Sequence, residues 1–318
     1  MYRVLCSAPY LIPVLDRFQP IFDRQGIEIL VPMNVLERLE EDQLIEYAGQ
    51  IDGTISGDDR FTRRVLEACV PRLKAISKWG TGIDSIDHQA ASELGVKVYR
   101  TPNAFTLPVA DTVMGYILAF ARRQPWMDRE MKLGVWSKLP GRSLSECTLG
   151  VVGVGNIGKA VIQRARAFGM ITLGNDIVQI EPGFIRDNGV EMLPLEVLLA
   201  RSDYISLNCD LNPTSLHLIN MDAFALMRPT AILINTARGQ IIDEGALIRA
   251  LQNGQIAGAA LDVFEVEPLP ADSPLSQLDN VLLAPHNANS SPAAWERVHT
   301  NTIRNLFLGL GIPNSNFD

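Results

Sequence analysis

Residues 149–161 read LGVVGVGNIGKAV, an apolar run that breaks at Gly153, Gly155 and Gly158 and continues as KAVIQRARAF through Phe168. The G-x-G-x-x-G spacing is a weak signal alone, and its context gives it meaning. A β-branched strand precedes it and an amphipathic helix follows. The turn therefore puts a helix N-terminus, around Asn156 and Ile157, at the strand's carboxyl end, with amide N–H groups and a partial positive charge facing any anion there. Lacking Cβ atoms, the first two glycines let the backbone turn and approach a pyrophosphate. The third lets helix and strand pack closely. The next apolar stretch, ITLGND, ends in Asp176, close to the ~20-residue spacing of a carboxylate that bonds an adenosine ribose. Ile177, Val178 and Gln179 bring no cation to neutralise a 2′-phosphate, so the pattern predicts NAD rather than NADP.

Outward from this loop the chain alternates short β-branched runs with longer amphipathic segments. Downstream, strands are predicted at 203–209, 231–237, 256–264 and 281–285, with helices between them and a final amphipathic helix over 295–310. Upstream, strands at 2–8, 27–32, 53–56, 73–80 and 96–100 alternate with helices, including a polar one over 36–49. The segment 101–123 begins with proline and asparagine and becomes a long apolar helix, a natural crossing between domains. Repeated βαβ units imply parallel sheets covered by helices on both faces. The predicted fold class is thus α/β, with two Rossmann-like, doubly wound parallel-sheet domains. A length of 318 residues accommodates two such domains.

Composition narrows the partners. A net charge of −8 argues against nucleic acid or an anionic membrane as the main partner. No apolar run reaches the ~18 residues of a membrane span. The N-terminal residues lack the basic start and apolar core of a signal peptide. Cys6, Cys69, Cys147 and Cys209 are scattered without a CxxC pair, and read as reduced thiols of a cytoplasmic protein with no metal site.

Three ionisable residues stand just past predicted strands: Arg238 after AILINTA, Glu267 after the run containing ALDVF, and His286 after VLLAP. An unpartnered buried guanidinium is costly, so Arg238 at the end of a dry strand either reaches solvent or meets an anion. In an open α/β sheet ligands bind outside the carboxyl ends of the strands. The three residues would therefore share the edge that carries the glycine loop. Glu265 is an alternative to Glu267 on residue type alone.

The chain resembles the D-isomer-specific 2-hydroxyacid dehydrogenases, the family of phosphoglycerate dehydrogenase, glyoxylate/hydroxypyruvate reductase and D-lactate dehydrogenase. The resemblance rests on KWGTGIDSID (78–87), TPNAFTLPVAD (101–111), LGVVGVGNIGKAV (149–161), NTARGQIIDEGAL (235–247), GAALDVFEVEP (258–268) and APH (284–286), and it covers nearly the whole chain. It implies a discontinuous, flavodoxin-like outer substrate domain formed by residues 1–103 and 288–318, and an NAD-binding Rossmann domain over 104–287. It also implies a homodimer, NAD as cofactor, a small anionic 2-keto or 2-hydroxy acid as substrate, and Arg238, Glu267 and His286 as the catalytic trio, with the family spacing selecting Glu267 over Glu265. By the same resemblance Thr81 and Gly82, in the turn at 80–82, offer backbone N–H groups to the substrate carboxylate, and Asp262 contacts the nicotinamide amide. Cys209, Thr236 and Ala237 line the cofactor.

The chemistry of the residues agrees. Reducing a 2-keto acid needs a hydride and a proton, and imidazole is the side chain that titrates near neutral pH, which makes His286 the general acid. Glu267 would bond the other ring nitrogen and favour the imidazolium. Arg238 would grip the carboxylate and polarise the ketone with its fork of donors. Trp79 and Trp136 read as packing residues rather than cofactor platforms.

Departures from the family pattern fall around the substrate. NANSSPAAW (287–295) replaces a Gly-rich turn with threonine, and Asn208 and Asp210 stand where the family often has His and Pro. In TISGDDRF (54–61), Ser56 and Arg60 are the candidates for the substrate side chain, with Asp58 and Asp59 beside them. The sequence leaves two other readings open: phosphite-type oxidation on the same fold, and an NAD(H)-sensing interaction protein that keeps the trio.

Overall fold

A computed structural model of the chain describes residues 1–33, 35 and 38–313. The chain divides into two compact units. Unit 1 is Met1–Phe105 together with the segment from Ser291 onward, and unit 2 is Thr106–Ser290. The borders lie at 105/106 and 290/291, where the sequence expectation set them at 103/104 and 287/288. The shift has local causes. Phe105 packs on Trp79 of unit 1. Asn287 and Ala288 are bonded to Asp262 of unit 2.

Unit 1 runs β1 (Tyr2–Cys6), α1 (Gln19–Arg24), β2 (Ile27–Leu30), α2 (Glu41–Ile45), β3 (Gly53–Ser56), α3 (Arg63–Cys69), β4 (Ala75–Lys78), α4 (His88–Glu93) and β5 (Lys97–Tyr99). Its strands pair in parallel in the order β2-β1-β3-β4-β5, the flavodoxin-like arrangement. β3 and β4 are buried along their whole length, as central strands of a parallel sheet covered on both faces should be, although Thr54, Ser56, Ser77 and Lys78 are polar. The polar helix expected over 36–49 contracts to α2, started by a capping box between Glu40 and Gln43. Leu36 and Glu37 lie outside the described residues. Asp87 caps α4 by accepting from the Ala90 N–H at 2.8 Å.

Unit 2 runs α5 (Thr106–Arg122), α6 (Gln124–Lys132), β6 (Thr148–Val152), α7 (Asn156–Ala167), β7 (Ile171–Asn175), α8 (Pro182–Asn188), β8 (Glu191–Met192), α9 (Leu195–Arg201), β9 (Tyr204–Leu207), α10 (Met221–Leu226), β10 (Ile232–Asn235), α11 (Glu244–Gln252), β11 (Gly258–Leu261) and β12 (Val281–Leu283). All strand pairs are parallel, in the order β12-β11-β10-β9-β6-β7-β8. The order reverses between β6 and β9, so a crevice opens at the carboxyl end of β6. One apolar core, with Leu233, Phe224 and Leu247, lies under α9–α11. Another, with Ile117, Val151 and Ile162, lies under α5 and α7.

Two elements differ from the sequence expectation here. The apolar helix ends at Arg122, because Arg123 takes a left-handed conformation (φ 55°) and Pro125 opens a new helix. β8 has two residues, too few to leave an alternating pattern. The last helix, α12 (Pro292–Leu310), belongs to unit 1 and starts at the Ser291-Pro292 pair, before the expected Trp295. It lies close on the sheet: a Cβ on Gly309 would come within 2.5 Å of the Ala75 Cβ. Ser77 Oγ also donates to Thr302 O at 2.7 Å.

Candidate active site

The glycine loop joins β6 to α7. Gly153 has φ 88°, and a Cβ there would stand 2.5 Å from Cys209 N, so the loop is pressed against the end of β9. A Cβ on Gly158 would meet Gly153 O at 2.1 Å, which is the close helix–strand packing expected of the third glycine. Gly155 is different. A Cβ there would meet no protein atom within 4 Å, and Gly155 and Asn156 are exposed at the start of α7. Packing does not require glycine at this position, whereas a ligand approaching the helix N-terminus does. Asp176 stands past the end of β7. Its Oδ2 accepts from Val154 N at 2.7 Å and its Oδ1 from Val178 N at 3.0 Å, which fixes the carboxylate beside the loop. Cys209 is partly buried, and burial pushes its thiol up to about 11, so it is uncharged at neutral pH and no nucleophile.

Arg238, Glu267 and His286 follow β10, β11 and β12, at one carboxyl edge of the sheet. His286 Nδ1 lies 2.9 Å from Glu267 Oε2. Glu267 Oε1 accepts from Phe264 N at 3.0 Å, which holds the carboxylate in place behind the ring. His286 has φ 50°, an unusual backbone for a non-glycine residue. The surrounding bonds hold it there. Its amide donates to Asp262 O at 2.8 Å. The Asp262 side chain accepts from Asn287 N and Ala288 N, each at 2.8 Å. Burial raises the Asp262 carboxyl above its ordinary range, against those two amide bonds and the attraction of His286. Both oxygens of this 1% exposed residue accept from the backbone of the His286 loop.

Two residues without an assigned role in the sequence build the Arg238 turn. Asn235, fully buried, accepts from Ala237 N at 3.0 Å and donates to Arg238 O at 2.8 Å. Gly239 lets this turn touch the next loop, since a Cβ there would stand 1.9 Å from Phe264 C. Arg238 is partly buried and donates from Nη1 to Ala237 O at 2.8 Å. The Thr236 hydroxyl is buried with no hydrogen-bond partner. Glu265 takes no part in the His286 pair; its Oε1 lies 2.9 Å from His217 Nε2.

A family model described as "D-isomer specific 2-hydroxyacid dehydrogenase, NAD binding domain" matches residues 114–288. The chain is 40% identical to a glyoxylate reductase of Korarchaeum cryptofilum, over 83% of this chain and 81% of that one. It is 38% identical to a hydroxypyruvate reductase of Thermotoga maritima, over 91% and 96%. The solved structure of D-lactate dehydrogenase from Aquifex aeolicus, complexed with NAD and lactic acid, aligns with TM-score 0.83 at 27% identity, covering 95% of this chain and 93% of that one. The chain belongs to the D-isomer-specific 2-hydroxyacid dehydrogenase family.

The NAD-binding domain of this dehydrogenase family fits the residues present. The open space at Gly155, the N-terminus of a twelve-residue helix and the fixed Asp176 suit a dinucleotide. Among the described residues no cluster of His, Cys, Asp or Glu is placed to hold a metal ion. Among them also, no helix is long and apolar enough to cross a membrane.

In unit 1 the candidate substrate residues take unexpected positions. Ser56 is fully buried, and its hydroxyl donates to Asp59 Oδ2 at 2.9 Å, with Gly57 O at 3.1 Å as the other acceptor within reach. Asp59 also accepts from Ser7, and burial raises its carboxyl above the usual range. Arg60 turns to Glu40, at 3.3 Å. Beside the turn at 80–82 stand Arg100, whose Nη1 donates to Thr81 O at 3.5 Å, and Lys78, neither of them expected there from the sequence. Lys78 is 4% exposed, its Nζ lies 3.0 Å from Asp58 Oδ1, and a Cβ on Gly80 would stand 3.7 Å from it. A lysine closing an apolar strand reads as one that reaches for solvent, and here it does not. Thr81 donates to Thr101 O at 2.9 Å. Trp79 is packed among Tyr10, Phe105, Trp295 and His299, as expected. Trp136, expected to pack as well, is 89% exposed.

Proposed function

We propose that this family member is an NAD-dependent reductase of small 2-keto acids, an oxidoreductase working on the CH–OH/C=O pair at C2. The observation that carries the proposal is the 2.9 Å contact between His286 Nδ1 and Glu267 at the sheet edge that also holds Arg238 and the glycine loop. Bound reduced nicotinamide supplies the hydride for C2. Gly153, Gly155, Asn156, Ile157 and Gly158 hold the pyrophosphate, with Asp176 on the ribose. Cys209, Thr236, Ala237 and Asp262 are assigned to the rest of the cofactor's wall. Glu267 fixes one ring nitrogen of His286 and stabilises the charged ring, which directs Nε2 at the substrate. His286 then gives its Nε2 proton to the carbonyl oxygen as C2 is reduced, and takes it back in the reverse direction. Arg238 binds the substrate carboxylate and draws electron density from the ketone.

In unit 1 we assign Thr81 and Gly82 to the substrate, with Lys78 beside them. Lys78 is already paired with Asp58, and Asp59 is buried next to it, while exposed Arg100 donates to Thr81 O at 3.5 Å. The likeness to a glyoxylate reductase and a hydroxypyruvate reductase over most of their length supports an uncharged substrate side chain over a phosphorylated one. A homodimer is also part of the proposal. It is supported by the exposed apolar run Met131, Leu133, Val135 and Trp136 in unit 2, which a second copy would cover.

The test is NADH oxidation with a panel of glyoxylate, hydroxypyruvate, pyruvate and phosphohydroxypyruvate, repeated with NADPH. Turnover of an unphosphorylated acid with NADH is expected, with phosphohydroxypyruvate poorer. Silence across the panel while NADH still binds would overturn the proposal.

A further inference from the structure

Glu265 and Glu267 flank one residue, Val266, yet point to different histidines. Around Glu265 three loops meet, those following β9, β10 and β11. His217, from the first loop, has φ 49° and donates its amide to Gln240 O at 2.9 Å. Its ring Nε2 lies 2.9 Å from Glu265 Oε1. The same oxygen accepts from Glu244 N at 3.2 Å, while Glu265 N donates to Glu244 Oε2 at 3.2 Å. Gln240 Nε2 donates to Glu265 O at 3.0 Å. A short parallel bridge between Ile219 and Ile242 ties the first two loops again. Gly239 presses on Phe264 within this knot. Two carboxylates, Glu244 and Glu265, share the site, and burial together with the Glu265 charge raises the Glu244 carboxyl. His217 meets Glu265 at 2.9 Å on the oxygen that also takes the Glu244 amide, so the two carboxylates are tied by hydrogen bonds side by side.

The knot therefore grips the chain next to Gln240 on one loop and at Glu265 on another. Arg238 stands just before the first point and Glu267 just after the second. We propose that Glu265, clamped by His217 and Glu244, is a positioning residue that sets the spacing between the Arg238 turn and the Glu267–His286 pair. The inference rests on the catalytic reading of that trio. A carboxylate grip and a proton donor act on one small substrate, and a displacement of ~1 Å between such groups can cost about a hundredfold in rate. The glycine loop and Asp176 belong to β6 and β7, away from the knot in sheet order. The proposed pyrophosphate and ribose contacts therefore lie away from the knot, whereas Cys209, Thr236, Ala237 and Asp262, assigned to the rest of the cofactor's wall, stand on its loops.

The experiment compares Glu265→Ala and Glu265→Gln with the wild-type chain for keto-acid kcat and KM, NADH affinity and thermal stability. Amide exchange is followed alongside. Gln keeps an acceptor for both the Glu244 amide and the His217 ring N–H. The alanine variant is expected to lose between about ten- and a hundredfold in keto-acid kcat/KM, with NADH affinity falling by much less, and glutamine to restore most of it. Full activity in Glu265→Ala would overturn the proposal. So would a parallel loss of NADH affinity, or glutamine behaving no better than alanine. If the wild-type chain reduces no keto acid, the catalytic reading fails separately, and exchange then decides for the knot. Faster exchange in Glu265→Ala over 236–241 and at Phe264, with 153–158 unchanged, upholds the clamp; unchanged exchange over all three refutes it.

Discussion

At the scale of the residue, identical side chains separate by what their neighbours offer. Glu267 takes Phe264 N on one oxygen and His286 on the other, while Glu265 takes His217 and the Glu244 amide. Arg238 should be intolerant of lysine, which keeps the charge and loses the planar fork. Arg238→Lys is expected to raise keto-acid KM by at least about tenfold, the loss of roughly one charged hydrogen bond, while NADH affinity holds. Steady-state kinetics with both substrates varied check this, and an unchanged KM would remove Arg238 from the carboxylate. Asp176→Ala should weaken NADH much more than NADPH, because the carboxylate meets only a ribose hydroxyl in one and a phosphate in the other; equal losses in a fluorescence titration would contradict the ribose assignment. Ionisable residues past apolar strands were legible in the sequence because the strands betray them. Asn235 and Gly239 were not, since one acts through buried backbone bonds and the other by having no side chain. Nothing in TISGDDRF says that Asp59 turns inward and takes the Ser56 hydroxyl with it, or that Arg60 pairs with Glu40.

At the scale of the element, the glycine loop makes a prediction that separates folding from binding. Gly158→Ala drives a Cβ into Gly153 O, backbone against backbone, so stability and NADH affinity should fall together. Gly155→Ala meets nothing in the protein. It should leave thermal unfolding where it is and still weaken NADH, because the new methyl stands where the pyrophosphate approaches. Calorimetric titration beside a melting curve distinguishes the two; an unaffected NADH affinity in Gly155→Ala would show that the dinucleotide does not use this loop. Strand and helix order was readable from apolar runs. The break at Arg123 was signalled by Pro125 and overlooked beside the strength of the apolar pattern, while β8 is too short to signal itself. The Ser291-Pro292 start of α12 was a legible cap, for the Ser291 hydroxyl accepts from Ala294 N at 3.4 Å.

At the scale of the whole molecule, each unit has its own sheet and cores, and unit 1 is closed by a helix from the far end of the sequence. Only the family resemblance made that return predictable, because a helix period does not say which sheet it covers. The seam has a titratable group. Trp79 Nε1 donates to His299 Nδ1 at 2.9 Å, and burial lowers the His299 pKa below its ordinary value of 6.5. The unfolded chain thus takes up the proton more readily. Stability is full above the unfolded value and falls as pH drops through it toward the folded one. Melting temperature should decline below about pH 6.5. His299→Asn, which still offers Trp79 an acceptor oxygen, should flatten that decline; an unchanged slope would place its origin elsewhere. The central claim concerns the proton. Wild-type protein and His286→Ala, both loaded with NADH, are mixed with the best keto acid, and loss of reduced nicotinamide is followed in a single turnover. The account predicts equal NADH affinity and a rate lower by ~10²–10⁴-fold in the variant. A variant that oxidises NADH at the wild-type rate would contradict it.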